Sequence, residues 1–312
     1  MRLLATHMIG VLSVGMLLIS SAQALPESIE LNESCPPSFI LREKNQCRLR
    51  HRYQLYDSLQ NSGLGGLKSA LPAHRDGFSP QQIDLGRLLF FDPILSADNS
   101  LSCATCHNPA RGFSDGMGRG IGIDRQRQKR SAPSLWNSTF LTRFNWDARA
   151  HSYEQQIAEP LFSPTEMGNS PAAMLSAINR VPAYQRLFKQ AFIDSTPSIS
   201  IDHIVLALSA FQSSLISLNS RYDQYAHGYH KALNDREIAG LNVFRSFVAR
   251  CTQCHTPPLF TNQQIAVIGT PEPADLPRDV GAQETYQSET LRGGFRVPTL
   301  RNIATTAPYM HS

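Results

Sequence analysis

The amino-acid sequence predicts a mostly α-helical protein. Apolar residues recur at helical spacing in the segments 153–162, 171–192 and 201–226, and no convincing strand-like alternation separates these segments. An amphipathic helix followed by Cys-x-x-Cys-His occurs twice, which indicates a duplicated helical module. The expected fold is therefore helix packed on helix, in two related units.

Residues 1–24 have the features of a secretory signal peptide. A positive Arg2 precedes an apolar run of about a dozen residues, and small residues at Ala22 and Ala24 match a cleavage site. A membrane anchor is the alternative, but the run is shorter than the roughly 20 residues needed to cross a bilayer. We therefore expect cleavage near Ala24 and a mature periplasmic protein without a membrane span.

The composition is that of an ordinary globular protein. Of the 312 residues, 41% are hydrophobic and 17% are charged, which argues against disorder. The formal net charge is +4, and basic residues cluster at 42–52 and 125–130. Such clusters suit an acidic protein partner or a phosphate backbone, but solvated loop charge is the simpler interpretation. No nucleic-acid partner is expected of an exported protein.

Six cysteines fall into three pairs along the chain. Cys35 and Cys47 lie apart from the others, in an N-terminal extension at 25–78, and are close enough in sequence to close a short loop. In an oxidising compartment such a pair favours a disulfide. A metal-binding pair and two free thiols are the alternatives.

A helix is predicted to begin after Ser79. Serine is a suitable N-cap, and the proline that follows it suits the first helical turn. Gly86 and Phe90 of this helix match Gly240 and Phe244 of the helix before the second cysteine motif. The predicted apolar face of the first helix consists of Ile83, Leu85, Leu88 and Leu89.

The two copies of Cys-x-x-Cys-His indicate the chemistry. Each copy places two thiols and an imidazole at positions i, i+3 and i+4, which share one face of a helix. Two thiols can bond to the vinyl groups of a porphyrin while the histidine coordinates its iron, and this motif is the signature of c-type haem attachment. We therefore expect two covalent c-type haems. The residues are Cys103, Cys106 and His107, then Cys251, Cys254 and His255.

Three other interpretations explain these motifs less well. A thioredoxin-like redox pair usually lies in a βαβ unit, which is not found here, and needs no following histidine. A zinc site could use four cysteines, but both histidines would then have no role. A disulfide between cysteines three residues apart is geometrically awkward. Two motifs in one exported chain therefore favour haem.

With these motifs in order, the chain resembles the bacterial di-haem cytochrome c peroxidase family, including its MauG branch. The resemblance covers 79–312 and rests on "LGRLLFFDPILSADNSLSCATCH", "APSLWN", "FNWDARA", "EQQIAEPLFSPTEM", "CTQCH" and "VPTLRNIATTAPYMH". It implies hydrogen peroxide as the oxidant and two cytochrome c-like domains. The peroxidatic haem would belong to 79–225, and the electron-transfer haem to 226–312, a domain incomplete at its C-terminus.

The resemblance makes His107 the proximal ligand of the peroxidatic haem and His255 that of the second haem. In the cytochrome c peroxidase branch, a later histidine can close the other side of the peroxidatic haem. Ile123 stands at the corresponding position here, and no histidine occurs between His107 and His151. A permanently open iron is therefore expected, as in the MauG branch.

The resemblance also implies that Gln156, Pro160 and Glu166 lie over the peroxidatic haem. Cleavage of peroxide requires a group that removes a proton from one oxygen and delivers a proton to the other, and Glu166 is the candidate. A solvated helix surface would be the plainer interpretation of a glutamine and a glutamate. Trp146 is implied to relay electrons between the haems, although a buried core tryptophan would be the default.

The sixth ligand of the second haem is not assigned. In the family it is a methionine or a tyrosine after the "APYMH" motif, and that position aligns beyond Ser312. Neither Tyr309 nor Met310 is therefore given the role. The chain is expected to be a fragment or a truncated protein.

A calcium ion between the domains is a further implication of the resemblance. Its protein ligands would be the backbone carbonyl oxygens of Thr306 and Pro308, with Ser131 at the position of an asparagine ligand in the family. Calcium accepts carbonyl, hydroxyl and water oxygens, so serine with a water molecule can serve.

The sequence therefore predicts a periplasmic di-haem peroxidase that reduces hydrogen peroxide. A small cytochrome c or a cupredoxin would donate the electrons; in a MauG-like enzyme, side chains of a partner protein would be oxidised instead. The missing second histidine favours the MauG-like branch. A non-enzymatic di-haem electron carrier is the alternative, and both of its irons would be six-coordinate.

Overall fold

The structure, a computed structural model, describes residues 26, 28–50, 71–193, 198–272 and 276–312. The predicted signal peptide lies outside the described residues. Within the described ranges, no helix combines the length and the apolar character needed to cross a bilayer.

Helices dominate the described chain, and the strands are few and short. The first helices are α1 (Pro80–Phe91), α2 (Cys103–Cys106), α3 (Tyr153–Phe162), α4 (Pro171–Asn179), α5 (Pro182–Ala191) and α6 (Ile201–Ser213). The later helices are α7 (Arg221–Ala226), α8 (Asp235–Phe244), α9 (Cys251–Cys254) and α10 (Ala282–Tyr286). The strands form two antiparallel pairs, β1 (Phe39–Arg42) with β2 (Gln46–Leu49), and β3 (Ile265–Val267) with β4 (Gly294–Arg296).

The N-terminal extension contains a hairpin with a disulfide. Strands β1 and β2 pair with Leu41 opposite Cys47, and Cys47 is bonded to Cys35 with their Cα atoms 5.6 Å apart. Phe39 packs in a small core with Phe140. The sequence did not indicate these strands, because four residues are too few to establish an alternating pattern.

Helix α1 begins where the sequence predicts. The Ser79 hydroxyl accepts a hydrogen bond from the Gln82 amide at 3.1 Å, and the Gln82 side chain accepts one from the Ser79 amide at 3.0 Å. This reciprocal capping box satisfies backbone donors that the first helical turn leaves free. The buried members of the predicted apolar face are Ile83, Leu85 and Leu89.

Helices α1 and α6 approach closely enough to require a glycine. A Cβ atom on Gly86 would collide with the carbonyl oxygen of Ala207 and with the side chain of Phe211. The matching Gly240 in α8 has open space around it among the described residues, and α8 buries none of its side chains. The two modules therefore share an order of elements but differ in helix packing.

The main hydrophobic core lies among α1, α3, α4, α5 and α6. Ile157, Leu161 and Leu208 belong both to this core and to the wall of a cavity beside α2. Close-packed interiors resist deformation, so this wall has a fixed shape. The most deeply buried core side chains include Leu85, Leu89, Phe90, Met174 and Leu187.

A buried ion pair holds the region after the second motif against α7. Two guanidinium nitrogens of Arg301 donate to the two carboxylate oxygens of Asp223, both at 2.6 Å, and Arg301 Nε donates to the Pro258 carbonyl at 2.8 Å. The two side chains are only 5% and 1% exposed. The same guanidinium lies over the rings of Tyr222 and Phe260. One side chain thus joins α7 to the turn after α9.

Replacing Arg301 with methionine should lower the free energy of unfolding by about 3–5 kcal/mol, because Asp223 would be left as an unpaired buried charge. Urea unfolding of the purified holoprotein measures this loss. Arg221→Met is the matched control, since it breaks an ion pair with Glu237 whose side chains are 58% and 36% exposed. A much smaller loss is expected there. Equal losses in both variants would contradict the claim that the buried Arg301–Asp223 pair stabilises the fold more than the exposed Arg221–Glu237 pair.

Candidate functional site

A cavity of about 780 Å³ lies beside the first Cys-x-x-Cys-His motif. Its volume falls within the range of roughly 300–1,000 Å³ that small-molecule and cofactor sites occupy. The wall combines apolar core side chains with charged and amide side chains from 128–149 and 156–166. Cys103, Cys106 and His107 all line it. The motif therefore faces a space suited to a bulky cofactor.

The imidazole of His107 is held by the backbone around it. His107 is the C-cap of α2, and its amide donates to the Cys103 carbonyl at 2.9 Å. Its Nδ1 lies 3.0 Å from the Phe113 carbonyl oxygen, so Nδ1 carries the proton and donates it. Burial lowers the pKa of His107, which favours the neutral ring. The unprotonated Nε2 is then the atom able to coordinate a metal.

The two cysteines of α2 are poor sources of thiolate. Burial, reinforced by Cys106, raises the pKa of the Cys103 thiol to about 12. Burial, reinforced by the charges of Asp115 and Glu166, raises the pKa of Cys106 to about 11. Neither cysteine is in a disulfide. Two free thiols on the cavity wall are compatible with a thioether link to a porphyrin.

The second motif repeats the local geometry of the first. His255 caps α9, its amide donates to the Cys251 carbonyl at 2.9 Å, and its Nδ1 lies 3.2 Å from the Phe260 carbonyl oxygen. Phe113 and Phe260, the two accepting residues, have positive φ angles of 56° and 55°. Each turn therefore bends its carbonyl back to its own histidine in the same way.

The chain after α3 folds back and brings Glu166 to the cavity. Met167 donates its amide to the Pro160 carbonyl at 3.1 Å, and Asn169 donates to the Leu161 carbonyl at 3.1 Å. Gln156, Pro160 and Glu166 all line the cavity. The structure thus brings the three residues implied by the resemblance to the same space as His107. Their catalytic roles stay predictions.

Glu166 has the environment of a proton-transfer group. Burial raises its pKa, while the Arg149 charge and a hydrogen bond from Ser163 oppose the rise and the Glu159 charge adds to it. Glu159, the other glutamate of the cavity wall, accepts a hydrogen bond from Arg149 Nε at 3.1 Å and one from the Asn145 side chain at 2.7 Å. The two glutamates on this wall therefore differ in their partners: Glu159 is held by Arg149 and Asn145, whereas burial dominates the surroundings of Glu166.

Ile123 occupies the position where the cytochrome c peroxidase branch has a second histidine. Its amide donates to the Glu166 carbonyl at 2.8 Å, so its loop is fastened to the segment that carries Glu166. Its side chain packs beside Gly168 and is not part of the cavity wall. Among the described residues that line the cavity, His107 is the single histidine.

Trp146 lies on the cavity wall and contacts the C-terminal segment. Its indole nitrogen donates to the Ser131 carbonyl at 3.0 Å, and its own carbonyl accepts from the Arg296 amide of β4 at 2.7 Å. The ring meets His311 edge-on with centroids 6.5 Å apart, and His311 stacks on Phe295 at 3.8 Å. Trp146 is partly buried, and its role as an electron relay stays a prediction.

The charged network beside Trp146 was missed by the sequence analysis. The basic cluster at 125–130 was interpreted as solvated loop charge, but the Arg130 side chain is only 11% exposed. Arg130 donates to Asp147 at 2.6 Å and to Asp279 at 2.7 Å. A basic cluster alone carries no signal of such pairing, because its acidic partners come from distant parts of the sequence.

The residues implied as calcium ligands lie in or against the C-terminal segment. The Ser131 hydroxyl donates to the Met310 carbonyl at 3.1 Å, and the Ser131 amide donates to the His311 carbonyl at 2.8 Å. Thr306 and Pro308 precede these two acceptors in sequence. The calcium role of Ser131, Thr306 and Pro308 stays a prediction.

Comparison with known proteins adds independent information. The family model described as di-haem cytochrome c peroxidase matches residues 80–231. The methylamine utilization protein MauG of Methylorubrum extorquens is 36% identical over 233 residues, or 75% of this chain and 65% of that protein. Cytochrome c551 peroxidase of Nitrosomonas europaea is 32% identical over 252 residues, or 80% of this chain and 73% of that protein.

Two solved structures are similar over most of the chain. A MauG-like protein associated with microbial copper homeostasis superposes with a TM-score of 0.71 at 32% identity, covering 79% of this chain and 77% of that one. The di-haem peroxidase BthA of Burkholderia thailandensis gives 0.67 at 28% identity, covering 78% and 70%. Sequence relatives, fold and the geometry around the two motifs therefore agree, and the chain belongs to the di-haem cytochrome c peroxidase family of oxidoreductases.

Proposed function

We propose that the protein is a peroxide-reducing enzyme with two covalent c-type haems. The observation that carries this proposal is that one cavity is lined both by His107, whose Nδ1 faces the Phe113 carbonyl oxygen, and by Glu166, whose pKa is raised by burial. The haem held by His107 would supply the iron at which peroxide is reduced. The attachment residues would be Cys103, Cys106 and His107 for this haem, and Cys251, Cys254 and His255 for the other.

Glu166 is the proton carrier of the proposed reaction. Its carboxylate accepts a proton from one peroxide oxygen and returns it to the other oxygen, which leaves as water. Burial favours proton uptake by Glu166 in a site with little competing water. Gln156 can hold the peroxide by a hydrogen bond from its amide, and Pro160 shapes α3 because a proline lacks the amide that would bond to the Gln156 carbonyl.

Trp146 is the proposed electron relay between the cavity and the second module. Its hydrogen bonds to Ser131 and Arg296 fix the ring at the cavity wall, and its edge contact with His311 leads toward Phe295. His255 would anchor the haem that receives or delivers these electrons. The electron source would be a small cytochrome c, a cupredoxin, or a side chain of a partner protein, which becomes oxidised as it gives up its electrons.

A MauG-like reaction is favoured within this proposal. Ile123 directs its side chain to Gly168, and His107 is the single histidine among the described residues of the cavity wall. A periplasmic location, with residues 1–24 removed, and a calcium ion at Ser131, Thr306 and Pro308 belong to the same proposal. Their support is the resemblance to the family.

The purified holoprotein should contain two haems per chain and show a high-spin ferric signal by electron paramagnetic resonance. Hydrogen peroxide should then change the visible spectrum rapidly, because one iron has an open position. A non-enzymatic carrier would instead give only low-spin signals and no reaction with peroxide. Mutating Cys103 and Cys106 together to serine should remove one haem and abolish the peroxide response.

Glu166→Gln should slow the peroxide step by roughly 10²–10⁴-fold, the usual contribution of a positioned proton carrier. In the wild type the rate should rise as the pH rises through the elevated pKa of Glu166, since only the carboxylate accepts the proton. Stopped-flow spectroscopy across the pH range measures both effects. Glu284→Gln is the control, because this cavity carboxylate is 71% exposed. An unchanged rate in Glu166→Gln would show that Glu166 is not the proton carrier.

Trp146→Phe should slow electron passage while leaving the initial peroxide reaction intact, because phenylalanine packs similarly but is harder to oxidise. Single-turnover spectra of both haems separate the two steps. Trp136→Phe is the matched control, since this second tryptophan packs edge-on against Phe113 and does not line the cavity. Equal slowing in both variants would point to a structural effect rather than to a relay.

A further inference from the structure

Four cationic side chains line the cavity within the described part of the chain, and their charges are not equally compensated. Three come from the segment 129–149, and the fourth comes from β4. A cation removed from water is stable only when an anion or several acceptors replace the lost hydration. The cationic residues are Lys129, Arg130, Arg149 and Arg296.

Three of the four cations have carboxylate partners. Arg130 pairs with Asp147 at 2.6 Å and with Asp279 at 2.7 Å. Arg149 pairs with Asp147 at 3.0 Å and with Glu159 at 3.1 Å. The remaining side chain of the 129–149 segment, the exposed Lys129, lies 3.5 Å from Asp279. The charges of this segment are therefore matched within the protein.

Arg296 differs from the other three cations. It is 6% exposed, and its Nε donates to the Asn145 carbonyl at 3.3 Å. Among the described residues, no carboxylate lies within ion-pair distance of its guanidinium, and its two terminal nitrogens have no hydrogen-bond acceptor. Burial lowers the pKa of Arg296 to about 10, so the side chain stays charged at neutral pH. A buried positive charge on the cavity wall thus lacks a counter-ion.

The main chain holds this charge in a fixed place. The Arg296 amide donates to the Trp146 carbonyl at 2.7 Å, and β4 pairs Arg296 with Ile265 of β3. Two unused donors on a planar guanidinium match the two oxygens of one carboxylate. The side chain is therefore prepared for a bidentate anion that enters the cavity.

We propose that Arg296 binds a propionate carboxylate of the haem attached through Cys103 and Cys106. The inference rests on the proposed haem at His107, whose porphyrin carries two carboxylates and would fill the cavity that Arg296 lines. A free carboxylate or halide ion is the other source of negative charge for the same guanidinium. Arg296 then acts as a positioning residue that also adjusts the charge beside the iron.

The test compares the wild-type holoprotein with Arg296→Met, Arg296→Lys and Lys129→Met. Haem content is measured first, then the potential of each haem by spectroelectrochemistry and the propionate bending band by resonance Raman spectroscopy. In Arg296→Met the potential of the His107 haem should shift to lower values, because loss of a positive charge stabilises the ferric iron. The propionate band should shift as well, and the potential of the His255 haem should stay unchanged.

The other variants separate a specific contact from a general charge effect. Arg296→Lys keeps the charge, so the potential should remain near the wild-type value while the propionate band shifts with the loss of the bidentate bond. Lys129→Met removes an exposed charge that is 57% accessible, so both readouts should stay near wild type. Equal potential shifts in Lys129→Met and Arg296→Met would overturn the proposal.

Two further outcomes are distinguishable. An unchanged propionate band in Arg296→Met, together with wild-type spectra that respond to added acetate or chloride, would show that Arg296 binds a free anion and would overturn the proposal. If the variant with Cys103 and Cys106 both replaced by serine kept the haem content of the wild type, the proposed haem at His107 would be overturned. The proposed propionate contact would then be overturned with it.

Discussion

The bridge that Arg130 makes between Asp147 and Asp279 determines how the parts of the site are arranged. Asp147 follows Trp146 on the cavity wall, and Asp279 bonds to the Gly281 amide just before α10. Burial alone would raise the pKa of Asp279, but the Arg130 and Gly281 hydrogen bonds and the charges of Arg130 and Lys129 lower it to about 2. The carboxylate therefore stays charged, and its stabilising contribution, complete above the ordinary pKa of 3.8, is lost progressively as the pH falls from there through about 2.

Backbone hydrogen bonds hold the imidazole rings of the two Cys-x-x-Cys-His motifs in place. The carbonyls of Phe113 and Phe260 fix the tautomer of His107 and His255. A carbonyl partner makes the ring less electron-rich than a carboxylate partner would. The contact between a histidine and a backbone carbonyl therefore occurs in both Cys-x-x-Cys-His motifs. The helices before the motifs differ, because α1 needs Gly86 for close packing and α8 does not need Gly240.

Charged groups on the cavity wall differ in their partners. Glu159 is paired with Arg149 and accepts a hydrogen bond from Asn145, burial raises the pKa of Glu166, and Arg296 carries the one buried cation of the described wall without a carboxylate partner. The proposed proton carrier and the proposed anion-binding arginine thus share one feature, burial without an oppositely charged partner at ion-pair distance among the described residues.

The sequence by itself determined the features that depend on neighbouring residues: the cap of α1 at Ser79, the two Cys-x-x-Cys-His motifs, and the short loop closed by Cys35 and Cys47. The family resemblance led to Glu166 and Trp146, but not to their surroundings. Only the tertiary structure decided that Arg130 is buried and paired, because its partners lie 17 and 149 positions away. It also decided that Arg296 has no carboxylate partner among the described residues, since burial and electrostatic pairing are set by distances in space, which the order of residues does not specify.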